Sequence, residues 1–229
     1  MSFIPRLAAL TLVPASAILL GASSGAAAMS TTQAKKLVAS AITATKSSTT
    51  LTLIGYGKSE GKPVAFNLNV SPKYAYGILS YGDVSTNLRR VGTNIYAKGT
   101  KGFLEQEGES ASVASQAAGK WFQIKSSDTS DYEGIDQNLT ASGILVGLLP
   151  SKVTGAITAV KKTTVGGQPA EAISGTFSGE KGVLYVATHG KPYLLKVVQD
   201  SSKTDGGSIT LSNFGKSFRI STPSPLING

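Results

Sequence analysis

Residues able to carry out nucleophilic, acid–base or metal chemistry are sparse in this 229-residue chain. There is no cysteine and only one histidine, His189. This composition excludes thiolate metal sites, iron–sulfur clusters, cysteine nucleophiles and centres built from several histidines. His189 lies in a His-Gly-Lys-Pro segment, which is typical of an exposed turn. We therefore predict an exposed turn histidine that lacks the serine and carboxylate an acyl-transfer site would require.

Carboxylates form two loose groups in the middle of the chain. Their members are Glu105, Glu107 and Glu109, followed by Asp128, Asp131, Glu133 and Asp136. Glycosidases need two carboxyl groups facing one cleft, and calcium loops need a dense Asp-x-Asp-x-Asp-Gly order. Neither pattern is present, so these side chains are interpreted as a solvated surface. We expect no catalytic residue, no metal ligand and no cofactor.

Residues 1–28 have the layout of a secretory signal peptide. Arg6 lies in a short basic region, an apolar run extends from Leu7 to Leu20, and small residues follow it. A membrane-spanning helix needs about 20 apolar residues, more than this run provides. The Ala26-x-Ala28 motif predicts cleavage after Ala28, which leaves residues 29–229 as a single exported domain.

The segment from Leu19 to Ser23 is similar to a bacterial lipoprotein signal in all but one position. Ser23 stands where such signals have the cysteine that is acylated, and a serine hydroxyl cannot form the thioether. We therefore predict a protein that is secreted or located in the cell envelope without a lipid anchor.

The charge of the chain is basic and unevenly distributed. The formal net charge is +9, or +8 once Arg6 is removed with the signal peptide. Residues 105–136 carry a net charge of −5, which leaves +13 on the rest. Such a surplus favours anionic membranes or cell-wall polymers as partners, although it also fits a simple solvated surface. No repeat combines aromatic with basic residues, so nucleic acid is not an expected partner.

Helices are predicted in three places. Residues 30–46 combine capping hydroxyl residues with one apolar stripe that includes Val38, Ala41 and Ile42. The Ala/Ser-rich residues 110–118 have helix-forming composition. A further helix is predicted from Asp136 to Pro150, and residues 151–159 could add one more turn.

Period-two alternation dominates the rest of the chain and predicts antiparallel strands. Five are expected between residues 50 and 98, where Phe66 and Leu68 belong to one apolar face. Six more are expected at residues 160–165, 170–177, 182–188, 193–199, 207–212 and 217–222. The prolines after Thr222 predict a tail that leaves the sheet.

Together these elements predict an α+β fold with one large antiparallel sheet of ten to twelve strands. A sheet of that width must curve, because its strands twist. Helices are the natural cover for the concave face, and any space left beneath them is an apolar cavity.

The order of elements resembles the actinobacterial LppX/LprG-type lipoproteins of the LolA-like superfamily. The resemblance rests on Gly119-Lys-Trp-Phe-Gln-Ile, Val165-Gly-Gly-Gln-Pro-Ala, Leu184-Tyr-Val-Ala-Thr-His-Gly-Lys-Pro-Tyr-Leu-Leu and Ser208-Ile-Thr-Leu-Ser-Asn-Phe-Gly. It implies a half-barrel sheet packed on helices, a hydrophobic cavity and no catalytic residues. It also implies a lipid or acylated glycolipid as the bound partner.

Eight apolar residues are the candidates for lining such a cavity. They are Phe66, Leu68, Trp121, Leu139, Ile144, Leu145, Leu148 and Leu149. Ordinary core packing explains the same residues equally well. Three functions follow: a monomeric lipid carrier, an envelope-associated interaction or scaffold module with a filled core, and a hydrolase whose site the sequence does not reveal.

Overall fold

The computed structural model describes residues 29–127, 129–149, 153, 155–200 and 206–227. The predicted signal peptide, its cleavage position Ala28 and Ser23 lie outside these residues.

The described chain contains five helices and eleven strands. The helices are α1 Thr31–Lys46, α2 Lys101–Gln106, α3 Ala111–Ala117, α4 Thr129–Asn138 and α5 Ala141–Leu148. The first six strands are β1 Leu51–Ser59, β2 Lys62–Val70, β3 Tyr74–Tyr81, β4 Val84–Val91, β5 Asn94–Gly99 and β6 Phe122–Ile124. The remaining five are β7 Ile157–Val165, β8 Gln168–Phe177, β9 Glu180–Ala187, β10 Leu194–Asp200 and β11 Gly207–Ser212.

All eleven strands belong to one open antiparallel sheet in the order β6-β5-β4-β3-β2-β1-β11-β10-β9-β8-β7. The first meander extends from β1 towards one edge, and the second meander returns to the centre through β11. The pairing of β1 with β11, from Thr52 opposite Ser212 to Gly57 opposite Gly207, joins the two. Strand β1 is therefore the central strand, and β6 and β7 form the two edges.

Alternation along each strand gives the sheet two chemically different faces. On β1, Leu51 and Leu53 are buried on the face that carries the helices, here called the inner face, whereas Ile54 and Tyr56 are exposed on the outer face. Gly55 is opposite Phe66 on the inner face. A Cβ atom at Gly55 would lie 2.2 Å from the Phe66 ring, so glycine is what allows this ring to lie flat on β1.

The helices cover the inner face unequally. Helix α1 begins with a capping box, in which Ser30 accepts from the backbone N–H of Gln33 and the Gln33 side chain accepts from that of Ser30. Its buried stripe includes Val38 and Ala41, and it packs on β7, β9, β10 and α5. Helix α2 instead packs on β4 and β5. The large open sheet with helices on its concave face confirms the predicted fold class.

In the middle of the chain, the helices differ from those predicted in number and in bounds. Four helices, rather than two, lie between β5 and β7 in the described residues. Helix α2 has no Ala-rich signature and begins where the Thr100 hydroxyl accepts from the backbone N–H of Phe103. The predicted helix from Asp136 to Pro150 is in fact α4 followed by α5. The chain breaks between them because Thr140 caps α5 by accepting from the backbone N–H of Gly143.

The predicted strand at residues 217–222 is wrong. The residues after Thr222 continue no ladder, as predicted, but they stay against the protein and do not trail away from it. Residues 213–227 instead cross the outer face as an irregular tail. Asn213 donates to the Thr52 hydroxyl, and the Phe218 ring packs edge-on against Tyr76 with centroids 5.3 Å apart. The tail ends in a bridge between Leu226 and Trp121. Side-chain contacts and single hydrogen bonds hold the tail on the sheet. A period-two sequence pattern does not distinguish a segment held in this way from a paired strand.

Candidate functional site

The inner face of the sheet and its helices enclose the main apolar cluster of the molecule. Seven of the eight predicted lining residues belong to this cluster or pack against it: Phe66, Leu68, Leu139, Ile144, Leu145, Leu148 and Leu149. Strand β2 contributes the first two, and the chain from the end of α4 through α5 contributes the other five. Residues about 75 positions apart in sequence are thus brought onto the two sides of one apolar layer.

The centre of this layer is tightly packed. Leu139, Ile144 and Leu145 are 1%, 2% and 0% exposed. Phe66 and Leu68 on the opposing strand are each 3% exposed. Such values mean that neighbouring side chains fill the space around them. These five residues therefore behave as core.

The rim of the cluster is partly accessible, both at β7, where Ile157 and Val160 lie, and at a second flank. Apolar side chains from β3, β4, β6 and α4 pack against the buried core yet keep part of their surface accessible: Leu79, Leu88, Ile124, Tyr132 and Ile135. We call these five residues the accessible flank. The sequence analysis did not single them out. The alternation along β3 and β4 could have identified the strand residues, because it places Leu79 and Leu88 on the inner face. There Leu79 is paired with Phe66, and Leu88 with Gly77.

A buried arginine lies beside the accessible flank. Arg90, two residues after Leu88, is 5% exposed. Its guanidinium donates to the carbonyl oxygens of Ser71 (2.7 Å), Pro72 (3.2 Å) and Leu139 (3.2 Å). Its Nε lies 3.8 Å from an Asp136 carboxylate oxygen, beyond hydrogen-bonding distance. Arg90 thereby ties the junction of α4 and α5 to the β2–β3 turn, and holds the helical cover of the flank in place.

A second buried polar contact fixes α1. The Thr45 hydroxyl in the last turn of α1 accepts from the backbone N–H of Leu194 at 2.8 Å. Leu194 begins β10, where the pairing with β9 shifts register. The contact satisfies a backbone donor that the irregular pairing leaves free.

Trp121 is not brought together with the other predicted lining residues. It lies on the outer face, where Arg89 and Lys98 stand over its ring at 4.9 and 5.3 Å from the centroid. Its backbone carbonyl accepts from the N–H of Ile227 in the tail. The ring thus lies across the sheet from the apolar cluster and outside the space beneath the helices.

The chemistry-bearing residues are dispersed over the surface. His189 is exposed in the β9–β10 hairpin, with its Nδ1 3.2 Å from the Thr188 hydroxyl. Glu105 pairs with Lys101 at 3.5 Å, and Asp136 faces Arg90. Among the described residues, no group of three or more His, Asp or Glu side chains could hold a metal ion.

One catalytic pattern was missed by the sequence analysis. Gly57-Lys-Ser59-Glu-Gly61 matches the Gly-x-Ser-x-Gly pattern of hydrolase nucleophiles. Such a serine requires a turn from a strand into a helix. Here Ser59 ends β1, and Glu60 and Gly61 form the hairpin turn into β2 with φ of 53° and 75°. This hairpin and the β9–β10 hairpin of His189 lie at opposite ends of the sheet, so the match is a turn motif.

None of the helices described above combines the length and apolar character that a membrane crossing requires.

Eleven antiparallel strands form one open curved sheet with helices on its concave face. Comparison with the solved structure of LprF confirms this fold. The crystal structure of LprF from Mycobacterium bovis matches with a TM-score of 0.55 and 15% identity, over 85% of this chain and 98% of that one. The crystal structure of the Mycobacterium tuberculosis lipoprotein LppX matches with a TM-score of 0.46 and 16% identity, over 81% and 98% of the two chains. No protein-family model and no curated protein sequence matches the chain.

Proposed function

We propose that this chain is an exported, non-catalytic carrier that holds the acyl chains of a lipid or an acylated glycolipid against the inner face of its sheet. The signal-peptide pattern of residues 1–28 supports export, with residues 29–229 acting as one monomeric domain. The fold shared with LprF and the family resemblance of the sequence support lipid binding.

The observation that carries this proposal is the accessible flank. Five apolar side chains from three strands and one helix keep accessible surface while they are continuous with the buried cluster. Burial of hydrocarbon on such a surface contributes about 0.8 kcal/mol per CH₂ group. An acyl chain entering between α4 and the sheet would therefore contact Leu88, Ile124 and Tyr132 first. Of the residues singled out from the sequence, Leu148 also keeps accessible surface, whereas Leu149 is buried.

The test is native mass spectrometry of the chain purified from its own envelope, followed by solvent extraction of any bound molecule. A stoichiometric adduct of lipid mass is expected. Leu88→Trp should fill the accessible flank and remove the adduct while the protein stays folded. The matched control is Ile78→Trp, which places the same ring on the outer face and should leave the adduct unchanged. A chain that carries no adduct and takes up no fluorescent fatty acid or phospholipid would refute the carrier.

The tight packing of Leu139, Ile144 and Leu145 favours a second candidate, an envelope-associated scaffold with a filled core. In a filled core, Leu145→Trp overpacks and destabilises the protein by about 1–3 kcal/mol. In a carrier whose helices can move away from the sheet, the same substitution displaces the ligand and destabilises the protein less. Chemical denaturation of this variant, measured beside its lipid content, separates the two functions.

A further inference from the structure

The outer face carries an apolar surface that the fold does not use. Of the seven large apolar side chains exposed among the described residues, four lie together on neighbouring parts of this face: Ile54, Tyr56, Tyr76 and Ile78. Their exposed fractions are 45%, 55%, 37% and 39%. We call them the outer patch. Single exposed apolar residues are ordinary, but a contiguous group marks a contact surface.

Strand register places the outer patch at the middle of the sheet. Ile54 and Tyr56 belong to the central strand β1, and Asn67 of β2 separates Ile54 from Ile78. The central strand of a convex sheet protrudes farthest, so these side chains are the first to meet a surface approached from that side. Strand β1 is paired on both edges, with β2 and β11, which excludes the addition of a foreign strand at the patch.

The tail packs Phe218 against Tyr76 at the margin of the outer patch and leaves Ile54, Tyr56 and Ile78 exposed. It follows the row of outer-face residues from Thr52 through Tyr76 to Arg89, and then meets Trp121, which is level with Lys98 in the next row. In that next row the tail touches only Trp121 at the edge of the sheet, and Ile54 and Ile78 at the centre remain exposed among the described residues. Three of the four residues of the outer patch therefore stay exposed beside the path of the tail.

The row through Ile54 is flanked by lysines on both sides. Register aligns Lys98 of β5, Asn87, Ile78, Asn67, Ile54, Thr210, Lys196 of β10, Tyr185, Ala172 and Lys161 of β7 across ten strands. Lys58 and Arg89 add two more cations on the same face. No acidic side chain that the structure describes occupies an outer-face strand position. Among the described side chains, the surface is thus apolar at its centre with cations around it, and the register places one acidic position, Asp200, at the end of β10 on this face.

We propose that the outer patch and its lysine row dock on an anionic lipid bilayer. Tyrosine and isoleucine at the centre suit the boundary between headgroups and acyl chains, where tyrosine is enriched. The lysines suit an anionic bilayer, because its negative surface potential attracts each cation that lies near the surface. A fluid bilayer also accommodates a convex contact, whereas a rigid partner would need a matching concave face. This docking does not depend on whether the inner face holds a lipid.

The test is flotation of the purified exported chain, its N-terminal residue established by mass, with two kinds of vesicle. Vesicles of equal parts phosphatidylglycerol and phosphatidylcholine should bind it, and pure phosphatidylcholine vesicles should not. Replacing Lys98, Lys161 and Lys196 with glutamine should weaken binding on the order of 100-fold. The double variant Ile54→Ser with Tyr56→Ser should weaken it about tenfold.

Matched variants away from the outer-face strand positions are the controls. Lys35→Gln, Lys36→Gln and Lys73→Gln remove equal charge, and Val113→Ser with Val146→Ser removes comparable exposed apolar surface. Binding that only the outer-face variants weaken supports the proposal, provided that their circular dichroism and melting temperature match the parent. Absence of binding to anionic vesicles, or equal losses in both sets, overturns it. Outer-face variants that lose a protein partner but keep vesicle binding also overturn it.

Discussion

The two faces of the sheet are made from alternate residues of the same strands, yet they differ in every physical respect. The inner face buries Leu51, Leu53 and Phe66 beneath helices, and its one arginine in the described strands, Arg90, donates to backbone carbonyl oxygens. The outer face exposes Ile54 and Tyr56 among cations and is crossed by a tail. Because a one-residue step moves a side chain from one face to the other, neighbouring positions provide matched pairs for experiment.

The largest effect is expected from removing apolar volume on the inner face. Leu53→Ala creates a cavity at a fully buried position and should lower the free energy of unfolding by about 3 kcal/mol. Ile54→Ala, one residue along the same strand, should cost less than about 1 kcal/mol because that side chain is 45% exposed. Urea denaturation of both variants measures the difference. Equal losses would mean that the two faces are not energetically distinct.

Two adjacent arginines sharpen the comparison for polar groups. Arg90→Met leaves three carbonyl oxygens without their donor and should lower the free energy of unfolding by about 2 kcal/mol. Arg89→Met removes a cation that stacks on Trp121 and reaches the Ser221 carbonyl at 3.4 Å, a loss of about 0.5–1 kcal/mol. Denaturant midpoints at constant slope test the ranking. An Arg89 effect as large as that of Arg90 would contradict it.

The attachment of α1 to the sheet tests a single buried hydrogen bond. Thr45→Val preserves shape but leaves the Leu194 N–H without an acceptor, which should cost about 1.5 kcal/mol. Thr43→Val, two residues earlier on the exposed side of α1, is the control and should change stability by less than about 0.5 kcal/mol. Hydrogen exchange of the Leu194 amide should quicken only in the Thr45 variant.

The smallest effect is expected in the tail. Phe218→Ala removes the edge-on contact with Tyr76 and should reduce stability by about 0.5–1 kcal/mol. Limited proteolysis should then cut residues 213–227 sooner while the sheet stays intact. A loss of unfolding free energy as large as that of Leu53→Ala would show that the tail is part of the core.

Much of the fold was predictable because its signals are local. Period-two alternation located ten strands, and the cap and apolar stripe located α1. Strand β6 did not stand out, since three residues are too few to show a period. Helix α2 was missed for a similar reason: its start depends on one hydroxyl at Thr100, not on composition.

The candidate site was predictable only in part. Phe66, Leu68 and the residues of α5 were placed together because apolar faces of sheet and helix must meet. Trp121 was assigned to the cavity on residue type, but type does not specify a face. The register of the three-residue strand β6 and the contact with the tail place Trp121 on the outer face. The accessible flank escaped notice because partial exposure depends on which helices cover which strands.

Local sequence patterns specify ten of the eleven strands, their alternation, the basic charge and the export pattern. These follow from interactions between residues a few positions apart and from composition. Tertiary structure alone decided that β11 closes onto β1, that Arg90 points at the junction of α4 and α5, and that the tail covers one row and leaves Ile54 and Tyr56 open. Such features depend on contacts between residues up to about 160 positions apart, as in the Asn213–Thr52 hydrogen bond. Local propensities carry no information about which distant surfaces meet.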